Sequence, residues 1–217
     1  MDSSALAVDV WASLVPSALR ADKQARVRQL AIEAEARRQA ADYDTGSILE
    51  VEAALLWALA EAIQARVVVE VGTFIGMSTT ALASASTVQT VYTCDASNDC
   101  LPATKAIRTY PKCSSTDMLQ DLRKRGVVAD LCFFDGTLRP VDADLLKGLT
   151  HRETVFAFHD FNFGPKERVK HGRTYLQTVP RKGIGNVDLL KPRLWKHVLV
   201  NPLPDTTLAL LVPEARL

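Results

Sequence analysis

Apolar and polar positions along the chain follow two different periods. Residues 21–42 intersperse Ala, Val, Leu and Ile with Arg, Gln and Glu, without Gly or Pro, which predicts a helix of high intrinsic propensity. A shorter helical pattern, Leu6 to Leu19, is interrupted by Pro16. Ser47 and Glu50 have the S-x-x-E spacing of a capping box, so a further helix is predicted from Ser47 through Leu55, Trp57 and Leu59 to Gln64. Short β-branched or apolar runs then take over: Val67–Val71, Thr90–Cys94, Val127–Phe134, Thr154–Phe158, Trp195–Val200 and Thr206–Val212. Helix-length segments separate the first five, at Met77–Ala85, Asn98–Tyr110, Thr116–Lys124 and Asp142–Leu149. This alternation marks an α/β fold with a mostly parallel sheet and helices on both faces. The last two runs are separated only by Asn201–Asp205, too short for a parallel crossover, and are predicted to form an antiparallel hairpin at the sheet edge.

Composition narrows the possibilities. The 217 residues, 47% hydrophobic, suffice to bury a full core in one domain without a disulfide or structural metal. With 26 Lys and Arg against 25 Asp and Glu, overall charge does not attract nucleic acid. No apolar stretch approaches the length of a membrane span, and the first ten residues lack the basic n-region of a secretory signal. Cys94, Cys100, Cys113 and Cys132 have no CxxC spacing, which argues against a zinc site or redox pair and fits a reducing cytoplasm. The near-zero net charge conceals one basic segment: between Asn162 and Lys196, nine Lys and Arg stand against only Glu167 and Asp188. With Gly164, Gly172, Gly183 and Gly185 along it, this segment reads as a mobile loop able to close over an anionic small molecule, or as a solvated insertion.

The most informative stretch is Val67–Ala83, VVVEVGTFIGMSTTALA, where an apolar strand runs into Gly72 and a helix follows Gly76. Glycines there let the backbone approach a ligand, and the helix start offers N–H groups to an anion. The turn is not the G-x-G-x-x-G of a dinucleotide site, because only Gly72 and Gly76 are present. A nicotinamide-dependent oxidoreductase therefore remains only as an alternative.

The segment E-V-G-T-F-I-G-M-S resembles the first motif of class I S-adenosylmethionine (SAM)-dependent methyltransferases, in the form found in small-molecule O-methyltransferases of the catechol O-methyltransferase-like group. The resemblance implies a Rossmann-like class I methyltransferase fold with a seven-stranded sheet, over residues 46–217. It implies that Glu70, Gly72, Thr73, Gly76 and Ser78 line the cofactor site, and that Asp95, ending the second strand, holds the ribose hydroxyls. Ser115 and Thr116 in CSSTDMLQDL are similarly placed to contact adenine, with Met118 packing on the ring; an ordinary N-cap and amphipathic helix would look the same.

Two further strands end in polar groups, at the sheet edge where α/β proteins bind ligands. LCFFDG places Asp135 there, and VFAFHDFNFG places His159, Asp160 and Asn162. In metal-dependent relatives such positions bind a divalent cation, so the resemblance implies Asp135 and Asp160 as ligands of Mg²⁺ or Mn²⁺, completed by His159 or Asn162. Asp135 also borders the cofactor in this reading. A histidine in place of a carboxylate leaves two catalytic roles open. His159 can act as general base toward an acceptor hydroxyl, or as a ligand suited to a softer metal than Mg²⁺. His151 and His197 read as structural or surface residues, and His171 as a loop residue. Phe161 and Phe163 read as walls of an acceptor pocket or as packing beneath the basic segment. The expected function is methyl transfer to a hydroxyl oxygen of a small molecule, with no nucleic-acid or membrane partner; a binding or regulatory protein of this fold without turnover is the other alternative. Residues 1–45 are expected to form N-terminal helices serving as a lid or homodimer surface, and residues 162–193 a basic loop insertion.

Overall fold

Strand β1 (Val67–Val71) lies in the interior of a sheet and is buried from Val68 onward. The computed structural model describes residues 48–96, 106–161, 166–170, 173–177, 182–190, 197–200 and 207–216. The expected helices within residues 1–45, as well as Ser47, Asn162, Phe163 and His171, lie outside the described residues. In chain order the elements are α1 (Glu50–Ala62), β1, α2 (Met77–Ala83), β2 (Thr90–Asp95), β3 (Ile107–Pro111), α3 (Ser115–Lys124), β4 (Ala129–Phe134), α4 (Pro140–Leu146) and β5 (Thr150–Phe158). They continue with β6 (Lys166–Lys170), β7 (Arg173–Gln177), α5 (Lys182–Leu190), β8 (His197–Val200), β9 (Ala209–Pro213) and a 3₁₀ turn, Glu214–Arg216.

The main sheet has seven strands in the order β3-β2-β1-β4-β5-β9-β8. The five from β3 to β5 are parallel. Strand β9 runs antiparallel to both β5 and β8, so the predicted hairpin occupies the edge. Alternation along each strand divides the core into two layers. Val68, Leu131, Phe133, Val155, Ala157 and Leu210 face α1 and α2. Val69, Val71, Cys132, Phe134, Phe156, Phe158 and Leu211 face α3, α4 and α5. Burial on both faces is why the central strands read as nearly continuous apolar runs.

Three expectations change. Of the segment 98–110, expected to be helical, residues 98–105 lie outside the described residues, and from Ile107 the chain forms edge strand β3, Ile107–Pro111; only Ile107 of that strand is buried, so it lacks the apolar run that marks an inner strand. Helix α1 is capped at Leu49 rather than Ser47, with the Leu49 N–H donating to Glu52 Oε2 at 2.8 Å. The basic segment is not simply a loop: β6 and β7 pair as a separate antiparallel ribbon, and α5 buries Asn186, Val187 and Leu190. Gly183 and Gly185 each disfavour a helix by about 1 kcal/mol, and burial of Val187 and Leu190 in the apolar layer on this face of the sheet offsets this. Phe161 is buried in the same apolar layer. His197 is structural, with Nε2 3.0 Å from the Thr154 carbonyl, and His151 pairs with Asp130 at the surface.

Candidate functional site

Strand order reverses direction between β1 and β4, the place beyond the carboxyl ends of the strands where open α/β sheets bind ligands. At that point the chain leaves β1 through Gly72, whose φ of +97° favours glycine. A Cβ on Gly72 would lie 2.8 Å from the Gly136 nitrogen and 3.0 Å from the Asp135 carbonyl carbon. The contact is tight because the Asp135 and Gly136 N–H groups both donate to the Val71 carbonyl, at 2.9 and 2.8 Å. Two glycines thereby bring the ends of β1 and β4 together.

The turn continues through Phe74, also left-handed at φ +48°, a conformation that costs a non-glycine residue about 1–2 kcal/mol. Its N–H donates to Asp95 Oδ2 at 2.8 Å, so the carboxylate ending β2 is tied to the glycine turn. Gly76, at φ +77°, caps α2. Between turn and strand end lies a cavity of about 300 Å³, lined by Gly72, Phe74, Asp95, Ser115, Asp135 and Arg139 among others. Its size is at the lower end for small-molecule sites.

Beneath the turn is a buried hydroxyl network. Thr79 donates to Glu70 Oε2, and Thr93 donates to the same oxygen at 2.5 Å. Thr93 thereby uses its only proton, so Thr73, its other partner, must be the donor between them. Glu70 Oε1 is buried with no hydrogen-bond partner among the described residues. Burial pushes the Glu70 carboxyl up to about 7, against the pull of the hydroxyls of Ser78, Thr79 and Thr93 and with a smaller push from the charge of Asp135.

The candidate adenine residues divide. Ser115 lines the cavity, but its hydroxyl donates to Asp142 Oδ2 at 2.7 Å, and Thr116 donates to Asp142 Oδ1 at 2.6 Å. Asp142 is fully buried and also accepts the Arg139 backbone N–H at 2.8 Å, clasping α3 to α4. Ser114 is the N-cap of α3. Met118 is fully buried in the core and is not among the lining residues.

On the far side of Asp135, the chain leaving β5 brings His159 and Asp160 into reach. The His159 backbone N–H continues the sheet by donating to the Phe134 carbonyl at 3.0 Å, and Asp160 turns the chain at φ +58°, a conformation that aspartate tolerates better than most residues. His159 Nδ1 lies 2.9 Å from Asp135 Oδ1 and 3.7 Å from Asp160 Oδ1. One donor atom from each of these residues falls within 4.8 Å of the other two. The set of two carboxylates and an imidazole fits a divalent cation, since neighbouring ligands around such an ion lie about 3 Å apart.

Sequence reading missed the partner on the other side of the ring. His159 Nε2 lies 3.1 Å from Glu52 Oε2, on α1 and 107 residues away. Glu52 is fully buried and also accepts the Leu49 N–H at 2.8 Å and both the N–H and hydroxyl of Thr207, at 2.7 and 2.9 Å. Burial alone would raise its pKa, but the hydrogen bond and charge of His159, with the Leu49 and Thr207 amides, hold it near about 2. Burial likewise opposes charge on His159, yet Asp135 and Glu52 push its pKa up to about 10. Both ring nitrogens face carboxylates, so neither offers a lone pair to a substrate proton in this arrangement. The only signal for Glu52 in the sequence is one acid within the apolar run Val51–Leu59.

A second link joins the basic insertion to the cavity. Asn186, on α5, accepts the Leu138 N–H at 2.9 Å and donates to the Gly136 carbonyl at 2.8 Å.

No protein-family model matches the sequence, and no curated protein matches it. Solved structures do resemble it. An O-methyltransferase from Bacillus cereus in complex with S-adenosylhomocysteine (SAH) covers 85% of this chain and 90% of its own, with a TM-score of 0.60 and 16% identity. TomG, an O-methyltransferase from Streptomyces achromogenes involved in tomaymycin synthesis, in complex with SAM, covers 85% and 89% with a TM-score of 0.55 and 16% identity. A methyltransferase from Geobacter sulfurreducens covers 85% and 88% with a TM-score of 0.54 and 13% identity. At these identities the likeness is one of architecture: the chain has the fold of these solved methyltransferases.

Proposed function

We propose that the chain transfers the methyl group of SAM to a hydroxyl oxygen of a small molecule. The observation that carries this reading is the position of Asp135, which borders the cavity between Gly72 and Asp95 and also belongs to the cluster with His159 and Asp160. A cofactor and an acceptor held on its two sides would be adjacent. The SAM and SAH complexes of similarly folded proteins support the assignment of the cavity.

In this reading Asp95 accepts hydrogen bonds from the ribose hydroxyls, as a strand-end carboxylate does in related α/β sites. Gly72 lets the methionine portion approach the backbone, and Ser115 borders the adenine portion. Transfer forms the oxygen–carbon bond as the carbon–sulfur bond breaks, turning a sulfonium into a neutral thioether. Alignment of the two reactants supplies much of the rate, roughly 7–11 kcal/mol where orientation is optimal. The hydroxyl proton must also leave, to solvent water, which requires the pKa of the hydroxyl to be lowered. His159 has a carboxylate on each ring nitrogen, so it has no free lone pair with which to act as base; a cation held with Asp135 and Asp160 could take its place at Nδ1 only by displacing the proton there. A divalent cation bound by Asp135, His159 and Asp160 would lower the pKa of an acceptor hydroxyl.

Calorimetry with SAH tests the reading. Binding is expected, and Asp95→Ala should weaken it about 10- to 100-fold, the value of one or two hydrogen bonds to a charged group. No binding to the wild type would overturn the assignment. SAH binding without turnover on any small-molecule hydroxyl would favour a regulatory protein of this fold. The partner is expected to be a small and, given the basic insertion, anionic molecule. Among the described residues no helix is long and apolar enough to cross a membrane. A cytoplasmic location and a homodimer built on residues 21–42 belong to the same proposal.

A further inference from the structure

Glu52, on α1, holds His159 at Nε2, the ring nitrogen opposite the one that faces Asp135 and Asp160. An ionised carboxylate only accepts hydrogen bonds, so Nε2 must carry the proton in the 3.1 Å contact with Glu52 Oε2. The Glu52 carboxylate is itself immobilised by the amides of Leu49 and Thr207. The other nitrogen, Nδ1, faces Asp135 and Asp160 at 2.9 and 3.7 Å, the two carboxylates that with His159 bring one donor atom each within 4.8 Å of one another, so it is the nitrogen from which a cation there would displace a proton. Metal-binding histidines commonly donate their second ring N–H to a carboxylate, which sets the tautomer and strengthens the ligand.

We propose that Glu52 is a positioning residue: it holds the Nε2–H of His159 and so presents Nδ1, between Asp135 and Asp160, as the nitrogen donor for a divalent cation. The donor set suits Mn²⁺, Fe²⁺ or Zn²⁺ better than Mg²⁺, because imidazole binds the former more strongly. The inference deepens the proposed function, on which the cation's catalytic use rests.

The test uses the purified full chain stripped of metal, titrated with Mn²⁺ and followed by electron paramagnetic resonance. One bound Mn²⁺ is expected, with a nitrogen hyperfine coupling from His159. His159→Asp should keep an ion but lose that coupling. Glu52→Ala should weaken Mn²⁺ binding about 10- to 100-fold, with Glu52→Gln, which keeps an acceptor oxygen, falling between. Should neither Glu52 variant fold, ¹⁵N-histidine NMR of the wild type with Zn²⁺ decides, with Nε2 keeping its proton while Nδ1 loses its own. No nitrogen coupling, Glu52→Ala with wild-type affinity, or a Zn²⁺-bound ring protonated on Nδ1 would overturn the inference. SAH calorimetry on the same preparation separates the two failures: SAH binding without Mn²⁺ binding sinks the cation site alone, whereas nitrogen-coupled Mn²⁺ without SAH binding sinks the methyltransferase reading alone.

Discussion

Replacing Glu70 with Gln should flatten the pH dependence of stability. The Glu70 carboxyl is fully buried and held at about 7 in the fold, against 4.5 for an unperturbed group. Between those values the folded chain holds a proton that the unfolded chain has released. Stability must then fall as pH rises through this window and level off above it. One pH unit of displacement corresponds to about 1.4 kcal/mol, so the full difference, from 4.5 to about 7, corresponds to about 3 kcal/mol. Gln has the same shape, keeps one carbonyl oxygen for Thr79 and Thr93, and does not titrate. Glu70→Gln should therefore gain about 3 kcal/mol relative to wild type on moving from about pH 4 to about pH 8, read from urea unfolding followed by circular dichroism. Parallel pH profiles for the two proteins would refute the reasoning, and would mean that water or rearrangement solvates Glu70 Oε1.

Gly72→Ala places a Cβ 2.8 Å from the Gly136 nitrogen at a φ of +97°, and should cost at least about 2 kcal/mol in urea unfolding while weakening SAH binding. Asn186→Ala leaves the Leu138 N–H and the Gly136 carbonyl without their partner; a loss of about 1–3 kcal/mol is expected, with faster amide exchange at Leu138. Because Gly136 and Thr137 line the cavity, Asn186→Ala should also lower SAH affinity, and unchanged affinity would separate the insertion from the cofactor site.

Local features of the site were legible because neighbouring residues encode them. The β1 run, Gly72, Gly76 and the acid ending β2 form a strand–turn–helix unit whose backbone demands can be read from consecutive residues. Asp135, His159 and Asp160 were legible as strand-end polar groups, since parallel strands align their carboxyl ends. Strand β3 was not legible, because Arg108, Thr109, Tyr110 and Pro111 are exposed or only half-buried and carry no burial pattern. The ribbon β6–β7 was masked by its charge. Helix α5 was masked by glycines whose propensity cost is met by distant apolar contacts.

The chemistry of His159 illustrates the division most clearly. The sequence alone determined the alternating elements, the turn, and which polar side chains stand at the open edge of the sheet, because these follow from short-range periodicity and backbone preference. Only the tertiary structure decided what state those side chains occupy. It brought Glu52 and Thr207 together across 155 residues and set Glu52 against His159. Burial then made their charges mutually dependent, and no local pattern encodes an electrostatic coupling between residues that meet only when the sheet has closed around them.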